Sequence, residues 1–223
     1  MTLALDALDV AIGATTIIRR AALEVPTGTV CGLIGRNGAG KTTLMRAIMG
    51  ILPAKGGVIR FDARDLTAAP AYSRARAGIG YMPEDRKLVP DFTVRDNILL
   101  PLWAAGQGGS DRLAPIYALM PELEPLALRR ANQLSGGQQK MVALARAMMA
   151  GTKLLLLDEP TEGLAPALAR RIAEVLAKLR GTGVSVLLAE SNETHLGELF
   201  DMAFVIERGS VARRASGLGS VLI

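Results

Sequence analysis

A glycine-rich stretch in the first quarter of the chain carries the residue types most directly suited to chemistry. It reads Gly35-Arg36-Asn37-Gly38-Ala39-Gly40-Lys41-Thr42-Thr43, between a short apolar segment and a helical one. Glycines let backbone N–H groups turn inward around phosphate oxygens at the positive end of a helix dipole. Lys41 can reach the β- and γ-phosphates, and the Thr42 hydroxyl can join a Mg²⁺ shell. All nine residues are therefore predicted to bind nucleotide; the alternative is a glycine-rich turn that happens to carry a lysine.

Two acids form a second candidate site. Asp158 and Glu159 follow the apolar run Leu154-Leu155-Leu156-Leu157, and the carboxyl end of a parallel strand is where ligands bind. Asp158 is expected to hold Mg²⁺, usually through water, and Glu159 to polarise the attacking water and accept its proton. Taken alone, two acids after a strand are more often capping or surface residues. Because the chain also carries the phosphate loop, a catalytic role for the two acids is favoured over a capping or surface role. Lys41, Asp158 and Glu159 are therefore the predicted catalytic residues.

The elements that must position these residues alternate between short β-branched or apolar segments and longer helical ones, which predicts an α/β domain with a largely parallel sheet. Predicted strands cover residues 30–34, 58–61, 79–82, 154–157, 184–189 and 203–206, and a predicted helix covers residues 41–49. A second helix is amphipathic, with Pro166 in its first turn and Gly181 at its C-terminal cap; one face carries Leu168, Ile172, Val175, Leu176 and Leu179.

Between residues 83 and 150 the pattern changes. Strand signals vanish, and helical spacing punctuated by Pro and Gly takes over. This segment is interpreted as a helical subdomain inserted into a single domain of residues 1–223, whose α/β core comprises residues 1–82 and 151–223.

Composition narrows the class of protein. The chain has 223 residues, of which 50% are hydrophobic, and a net charge of +5. Its basic residues are dispersed, which favours an ordinary solvated surface over a binding site for nucleic acid or membrane. No apolar run is long enough to cross a bilayer, and the N-terminus lacks a basic leader. The single cysteine, Cys31, lies in an apolar run and is predicted to be a small core residue. These features predict a cytosolic chain.

The motif Leu134-Ser135-Gly136-Gly137-Gln138-Gln139 indicates a family. Ser135 and Gln138 have the spacing of a capping box at a helix start. The whole motif resembles the signature of ABC ATPases, and the order of motifs along the chain is similar too. The resemblance implies a P-loop NTPase fold of the ABC ATPase type, with a mixed or parallel sheet and an inserted helical subdomain. It also implies ATP and Mg²⁺ as cofactors, and nucleotide contacts from Ser135, Gly136, Gly137 and Gln138.

That resemblance implies partners as well. In the family, the signature of one subunit closes over the γ-phosphate held by another, so a head-to-tail dimer with an identical copy or a paralogue is expected. Transmembrane permease subunits and, indirectly, a solute-binding protein are expected, with no nucleic acid. The expected location is peripheral, at the cytoplasmic face of the inner or plasma membrane.

Within the family, three further segments are similar to ATP-binding subunits of branched-chain amino acid importers. They are Pro83-Glu84-Asp85-Arg86 with Phe92-Thr93-Val94-Arg95-Asp96-Asn97, Tyr117-Ala118-Leu119-Met120-Pro121, and Pro160-Thr161-Glu162-Gly163-Leu164-Ala165-Pro166. Importers of urea or other amides share these segments, so the predicted solute is an amino acid with those importers as the alternative.

Three positions depart from the wider ABC pattern. Glu84 stands where the family has a glutamine, and a carboxylate can still ligate Mg²⁺; the metal set is therefore Thr42, Glu84 and Asp158. Ser191 occupies the position where the family has its switch histidine. Because its side chain is short and neutral, its expected contact with a γ-phosphate is weak or bridged by water. Ile12 stands where an aromatic ring usually stacks on adenine. These changes predict slow turnover and modest affinity, and leave a regulatory, barely hydrolysing subunit as an alternative.

Two interpretations stay subordinate. His195, the only histidine, is a candidate displaced switch, although a half-exposed helix residue is favoured. Residues 92–103 are apolar enough to dock a partner, although a subdomain core is as good an interpretation for most of them. Soluble ABC ATPases of DNA repair carry long coiled coils between the phosphate loop and the signature, for which residues 49–134 are too short and too broken. Translation factors usually carry two cassettes, and this chain has one.

Overall fold

Two β-sheets form the framework of the chain in a computed structural model that describes residues 2–108, 110–192 and 196–214. A six-stranded sheet has the order β10-β9-β3-β8-β7-β6, and a four-stranded sheet has the order β2-β1-β4-β5. The strands are β1 (Leu3–Ile12), β2 (Thr15–Val25), β3 (Val30–Ile34), β4 (Ala54–Phe61), β5 (Arg64–Asp65), β6 (Ile79–Met82), β7 (Leu154–Asp158), β8 (Ser185–Glu190), β9 (Met202–Glu207) and β10 (Ser210–Arg213).

The six-stranded sheet is parallel across β9, β3, β8, β7 and β6, and only β10 runs antiparallel. Both of its faces are covered. Leu154 and Leu156 pack with the first helix and the four-stranded sheet, whereas Leu155 and Leu157 pack with helices on the opposite face. A strand buried on both faces has no polar alternation, which explains the uninterrupted leucine run before Asp158.

The four-stranded antiparallel sheet was only partly expected. Residues 58–61 do form a strand, but β4 pairs antiparallel with β1 and lies outside the parallel sheet. The β1–β2 hairpin was not predicted. Its apolar alternation breaks between Leu5 and Leu8, where the register with both neighbouring strands shifts and Ala7 adopts φ +44°. A bulge inserts a residue and moves the apolar side chains out of phase, so a strict period of two misses the strand.

The part of the chain that the structure describes also contains six helices: α1 (Lys41–Ile48), α2 (Ala71–Arg76), α3 (Val94–Ala104), α4 (Leu113–Leu119), α5 (Gly136–Ala150) and α6 (Pro166–Leu179). The amphipathic α6 begins at Pro166 as expected, and Gly181 follows its last turn with φ +78°. Four 3₁₀ turns lie at Ser110–Arg112, Pro121–Leu126, Ala131–Gln133 and Gly197–Leu199.

Residues 92–103 mostly belong to the interior. Val94, Ile98, Leu99 and Leu102 are buried in the core shared with α5, while Phe92 and Trp103 keep substantial exposure. The core interpretation is therefore confirmed for these four residues, and apolar surface is left at Phe92, Trp103 and the half-buried Leu100.

No helix in the described ranges combines the length and apolarity needed to span a membrane. Cys31 is fully buried in β3, within the core between the two sheets, as the sequence predicted.

Candidate functional site

The carboxyl ends of four neighbouring parallel strands build one edge of the large sheet. The glycine-rich loop follows β3, Asp158 ends β7, Glu190 ends β8, and Glu84 comes two residues after β6. Parallel strands that end side by side bring their following loops together. The topology thus explains how residues far apart in sequence share one site.

The glycine-rich loop turns directly into α1. Gly38 has φ +80° and Gly40, the residue that caps α1, has φ +112°, a backbone region that other residues avoid. A Cβ at Gly35 would lie 2.4 Å from the carbonyl oxygen of Ile206. Each of these glycines is required by the backbone path, which leaves the N–H groups at the start of α1 facing an open cavity. This cavity of about 430 Å³ is lined by Ile17, Asn37, Gly38, Gly40, Lys41, Thr42, Thr43, Glu84, Glu159 and Glu162.

Lys41 is the centre of a polar cluster in this cavity. Its Nζ lies 3.0 Å from Glu159 Oε1 and donates to the carbonyl oxygens of Gly35 at 2.5 Å and Arg36 at 3.2 Å. Ser191 Oγ accepts from Lys41 Nζ at 3.2 Å and lies 2.7 Å from both Glu159 Oε1 and Asn37 Oδ1. The structure thus brings the predicted switch residue into direct contact with the predicted base and the phosphate-loop lysine.

Asp158 is buried beside this cluster. Burial, with the nearby carboxylates of Glu84 and Glu159, raises its pKa to about 6, although hydrogen bonds from Thr42 and Tyr81 oppose the shift. Its Oδ1 is a buried oxygen without a hydrogen-bond partner. A divalent cation would satisfy that oxygen and offset the crowded negative charge, so this site fits Mg²⁺. No cluster of three or more His, Cys, Asp or Glu side chains suited to a metal occurs among the described residues.

Glu159 and Glu190 form a pair of adjacent carboxyl groups. Burial raises the pKa of Glu159, but hydrogen bonds from Ser191 and Lys41 outweigh it, and the net shift is downward. Burial, together with the contact to Glu159, raises the pKa of Glu190 to about 7, although Thr161 donates to Glu190 Oε1 from both Oγ1 and N. Glu159 is therefore the ionised partner, as a base requires, and Glu190 is the partner that carries the proton.

The signature residues lie apart from this cavity. Ser135 caps α5 in the predicted capping box: Gln138 N donates to Ser135 Oγ at 3.3 Å, and Ser135 N donates to Gln138 Oε1 at 3.0 Å. Neither these two residues nor Gly136 and Gly137 line the cavity around Lys41. The signature and the phosphate-loop cavity are therefore two separate surfaces of one chain.

Two other predicted positions have different outcomes. Ile12 ends β1 with 52% of its surface exposed and does not line the cavity, whereas Ile17, which the sequence analysis overlooked, does. His195 lies outside the described residues.

Sequence reasoning also missed Glu190 and Lys140. Glu190 follows a buried apolar strand, as Asp158 does, and that signal could have identified it. Lys140 is a buried lysine on α5, and nothing in the linear pattern distinguishes it from a surface lysine.

Comparison with known proteins agrees with this arrangement. The family model described as "ABC transporter" matches residues 18–162. The chain is 34% identical to a high-affinity branched-chain amino acid transport ATP-binding protein, BraG, of Pseudomonas aeruginosa, over 96% of this chain and 93% of that protein. It is 33% identical to the lipopolysaccharide export system ATP-binding protein LptB of Escherichia coli K12, over 86% of this chain and 81% of that one.

Solved structures show the same fold. A nucleotide-free ATP-binding cassette from an ABC transporter superposes with a TM-score of 0.83 at 26% identity, covering 95% of this chain and 90% of that chain. The phosphate loop, the carboxylates at the ends of β7 and β8 and the capped signature helix thus occur on a shared fold. The chain belongs to the ABC transporter family and is an ATP-binding, ATP-hydrolysing subunit of an ABC transporter.

Proposed function

We propose that this chain drives the import of branched-chain amino acids, working as a head-to-tail dimer of cassettes against a membrane permease. The observation that carries the chemistry is the Glu159 carboxylate, ionised and 3.0 Å from Lys41 Nζ in the phosphate-loop cavity. A carboxylate held in that state can take a proton from water.

The polar residues around Lys41 have defined parts in this proposal. Backbone N–H groups of the glycine-rich loop and Lys41 bind the triphosphate, and Thr42, Glu84 and Asp158 would hold Mg²⁺. When bound there, Mg²⁺ would neutralise charge on the phosphates. Glu159 orients water and takes its proton as the water oxygen bonds to the γ-phosphorus and the bond to ADP breaks. The Ser191 hydroxyl fixes the Glu159 carboxylate.

The separation of the signature from the cavity supports the dimer. Ser135 and the following glycines present N–H groups at the positive end of α5, yet they contribute nothing to the cavity of their own chain. Two chains arranged head to tail would let each signature close over the triphosphate held by the other. The partner cassette is an identical copy or a paralogue.

A second surface suits the membrane partner. An apolar groove of about 630 Å³ runs between the end of α1, α2, the carboxyl end of α3 and α5. Ile51 and Leu100 contribute apolar surface, and Pro83 and Asp85, which flank Glu84, lie in the same lining. A permease segment seated there would touch the loop that reaches the nucleotide, at the cytoplasmic face of the membrane.

Hydrolysis is tested by Glu159→Gln. Loss of the base is expected to lower steady-state phosphate release by about 10²- to 10³-fold while ATP binding is retained, measured by phosphate release and nucleotide titration. Glu124→Gln is the control, because Glu124 is exposed on the Pro121–Leu126 turn and does not line the cavity; it should stay within about threefold of wild type. Undiminished phosphate release from Glu159→Gln would refute the proposed role.

The solute requires a separate experiment, because LptB is nearly as similar as BraG and lipopolysaccharide export is the second candidate. Affinity purification from membranes, with identification of the co-purifying chains, should yield a permease and a solute-binding protein. Hydrolysis by the purified assembly should rise when the binding protein carries leucine, isoleucine or valine. Stimulation by lipopolysaccharide alone would favour export, and stimulation by urea would favour an amide importer.

A further inference from the structure

Lys140 is a buried ammonium group that the proposed mechanism has not used. It lies on α5 with 4% of its surface exposed. Its Nζ donates to the carbonyl oxygen of Glu159 at 2.7 Å and to that of Glu162 at 2.5 Å. Burial lowers its pKa, although the carboxylates of Glu162, Glu190 and Glu159 act in the opposite direction. This side chain thus spans from the signature helix to the segment that follows β7.

The backbone of Glu159 needs such support. Glu159 adopts φ +50°, a left-handed conformation that residues with a side chain seldom occupy. Its N–H donates to the carbonyl oxygen of Ala189 at 3.0 Å, and its own carbonyl oxygen accepts from Lys140. The peptide groups on both sides of the Glu159 Cα are therefore anchored, one to β8 and one to α5. Anchoring both fixes the direction in which the Glu159 side chain leaves the backbone.

The geometry points to Lys140 as a positioning residue that holds Glu159 in its working orientation toward the phosphate-loop cavity. This inference rests on the proposed role of Glu159 as the base. Lys140 does not itself line the cavity; it reaches two residues that do, Glu159 and Glu162, through their carbonyl oxygens, so it acts through the main chain. In the proposed dimer, α5 would therefore act in both nucleotide sites. Its signature end would contact the ATP bound by the partner chain, and its Lys140 would position Glu159 beside the ATP bound by its own chain.

The test uses Lys140→Met, which keeps the length of the side chain and removes the charge and all three donors. A displacement of the base by about 1 Å is expected to lower kcat by about 10²-fold, with the Kd for ATP within about threefold of wild type because the Lys140 side chain does not line the cavity. Lys140→Arg can still donate to both carbonyl groups and should keep kcat within about tenfold. Lys153→Met is the matched control, because Lys153 is an exposed lysine bonded to Asp62, and it should match wild type.

Mixed dimers separate positioning from general destabilisation. In the first dimer, one chain carries Lys140→Met with its own Glu159 intact, and the other carries Glu159→Gln. In the second dimer, both substitutions are on the same chain, so the working Glu159 keeps its Lys140. Slow hydrolysis in the first dimer only is the expected result.

Other results would overturn the inference. Equal rates in the two dimers, or a wild-type kcat for Lys140→Met, would show that Lys140 does not position the base. If Lys140→Met lost ATP binding and kcat to the same extent, and Lys140→Arg restored neither, the role of Lys140 would be in folding only. Absence of phosphate release from the wild-type assembly, or undiminished release from Glu159→Gln, would instead reject the proposed function on which this inference rests.

Discussion

At the scale of single residues, the chemistry of the site depends on how two neighbouring carboxyl groups divide one proton. Glu159 receives hydrogen bonds from Ser191 and Lys41, which keep it ionised. Glu190, 4% exposed, receives only neutral donors from Thr161. A buried carboxyl beside a carboxylate holds its proton to higher pH. Ser191 thus contacts Glu159, the proposed base, which its short side chain permits.

The raised pKa of Glu190 makes stability depend on pH. The folded state holds a proton on Glu190 up to about pH 7, whereas the unfolded chain loses it near the ordinary glutamate pKa of 4.5. Rising pH between these values therefore removes stability, and the cost is fully present above pH 7. Glu190→Gln mimics the protonated form, so it should be more stable than wild type at pH 8 by on the order of 2 kcal/mol and equal to it at pH 4.

Urea unfolding between pH 4 and 8 measures this difference. Asp158, whose pKa is also raised, titrates in both proteins, so only the difference between their curves reports Glu190. Glu24→Gln, at an exposed position on β2, is the control and should follow the wild-type curve. Parallel curves for wild type and Glu190→Gln across the whole range would contradict the assignment of the proton.

At the scale of elements, a buried arginine joins α1 to α2. Arg74 donates to the carbonyl oxygens of Ala47 at 3.0 Å and Ile48 at 2.7 Å, at the end of α1, and to those of Ala69 and Thr67 in the segment before α2. The last carbonyl groups of a helix have no partner within the helix. Arg74 supplies those partners and so secures the end of the helix whose beginning carries Lys41.

Replacing Arg74 by Met should therefore be costly. Four carbonyl groups would lose the hydrogen bond from Arg74 in a site that admits little water, and among the described residues only that of Ala47 has another donor, the N–H of Gly50. The expected loss is about 3 kcal/mol of unfolding free energy, measured by chemical denaturation. Arg76→Met is the control: Arg76 is exposed and packs over the Tyr72 ring, so its loss should cost about 0.5 kcal/mol or less. Similar stability of the two variants would show that the Arg74 bonds add nothing.

The elements also show where sequence reasoning succeeds. The phosphate loop, β7 with its two acids and the capped α5 were predictable because each is specified locally, by glycines, by a doubly buried strand or by a capping box. The β1–β2 hairpin was not, because its bulge at Ala7 breaks the period of two. Lys140 and Arg74 could not be identified either, because their partners are main-chain carbonyl groups. Every residue has such a group, so the residue types in the sequence do not indicate these contacts.

At the scale of the whole molecule, the phosphate-loop cavity and the signature are separate surfaces, and the proposed dimer would have each completed by another chain. The cavity around Lys41 has no contribution from Ser135 or from the glycines that follow it. The apolar groove beside Glu84 lies on α1, α2, α3 and α5, so a permease seated there would leave the sheet edge that carries the cavity open to a second cassette. Such a division of surfaces suits a subunit that binds two kinds of partner at once.

The dimer leads to a prediction at Ser135. Asp and Asn both cap helices well, so Ser135→Asp and Ser135→Asn should each preserve α5. Aspartate adds a negative charge where the partner's γ-phosphate would lie, and asparagine adds none. In a Glu159→Gln background with Mg-ATP, the Asn variant should dimerise and the Asp variant should stay monomeric, as measured by analytical ultracentrifugation. Nucleotide titration of the monomers should give equal ATP affinity for both, because Ser135 does not line the cavity of its own chain. Equal dimerisation of the two variants would contradict a head-to-tail interface built on the signature.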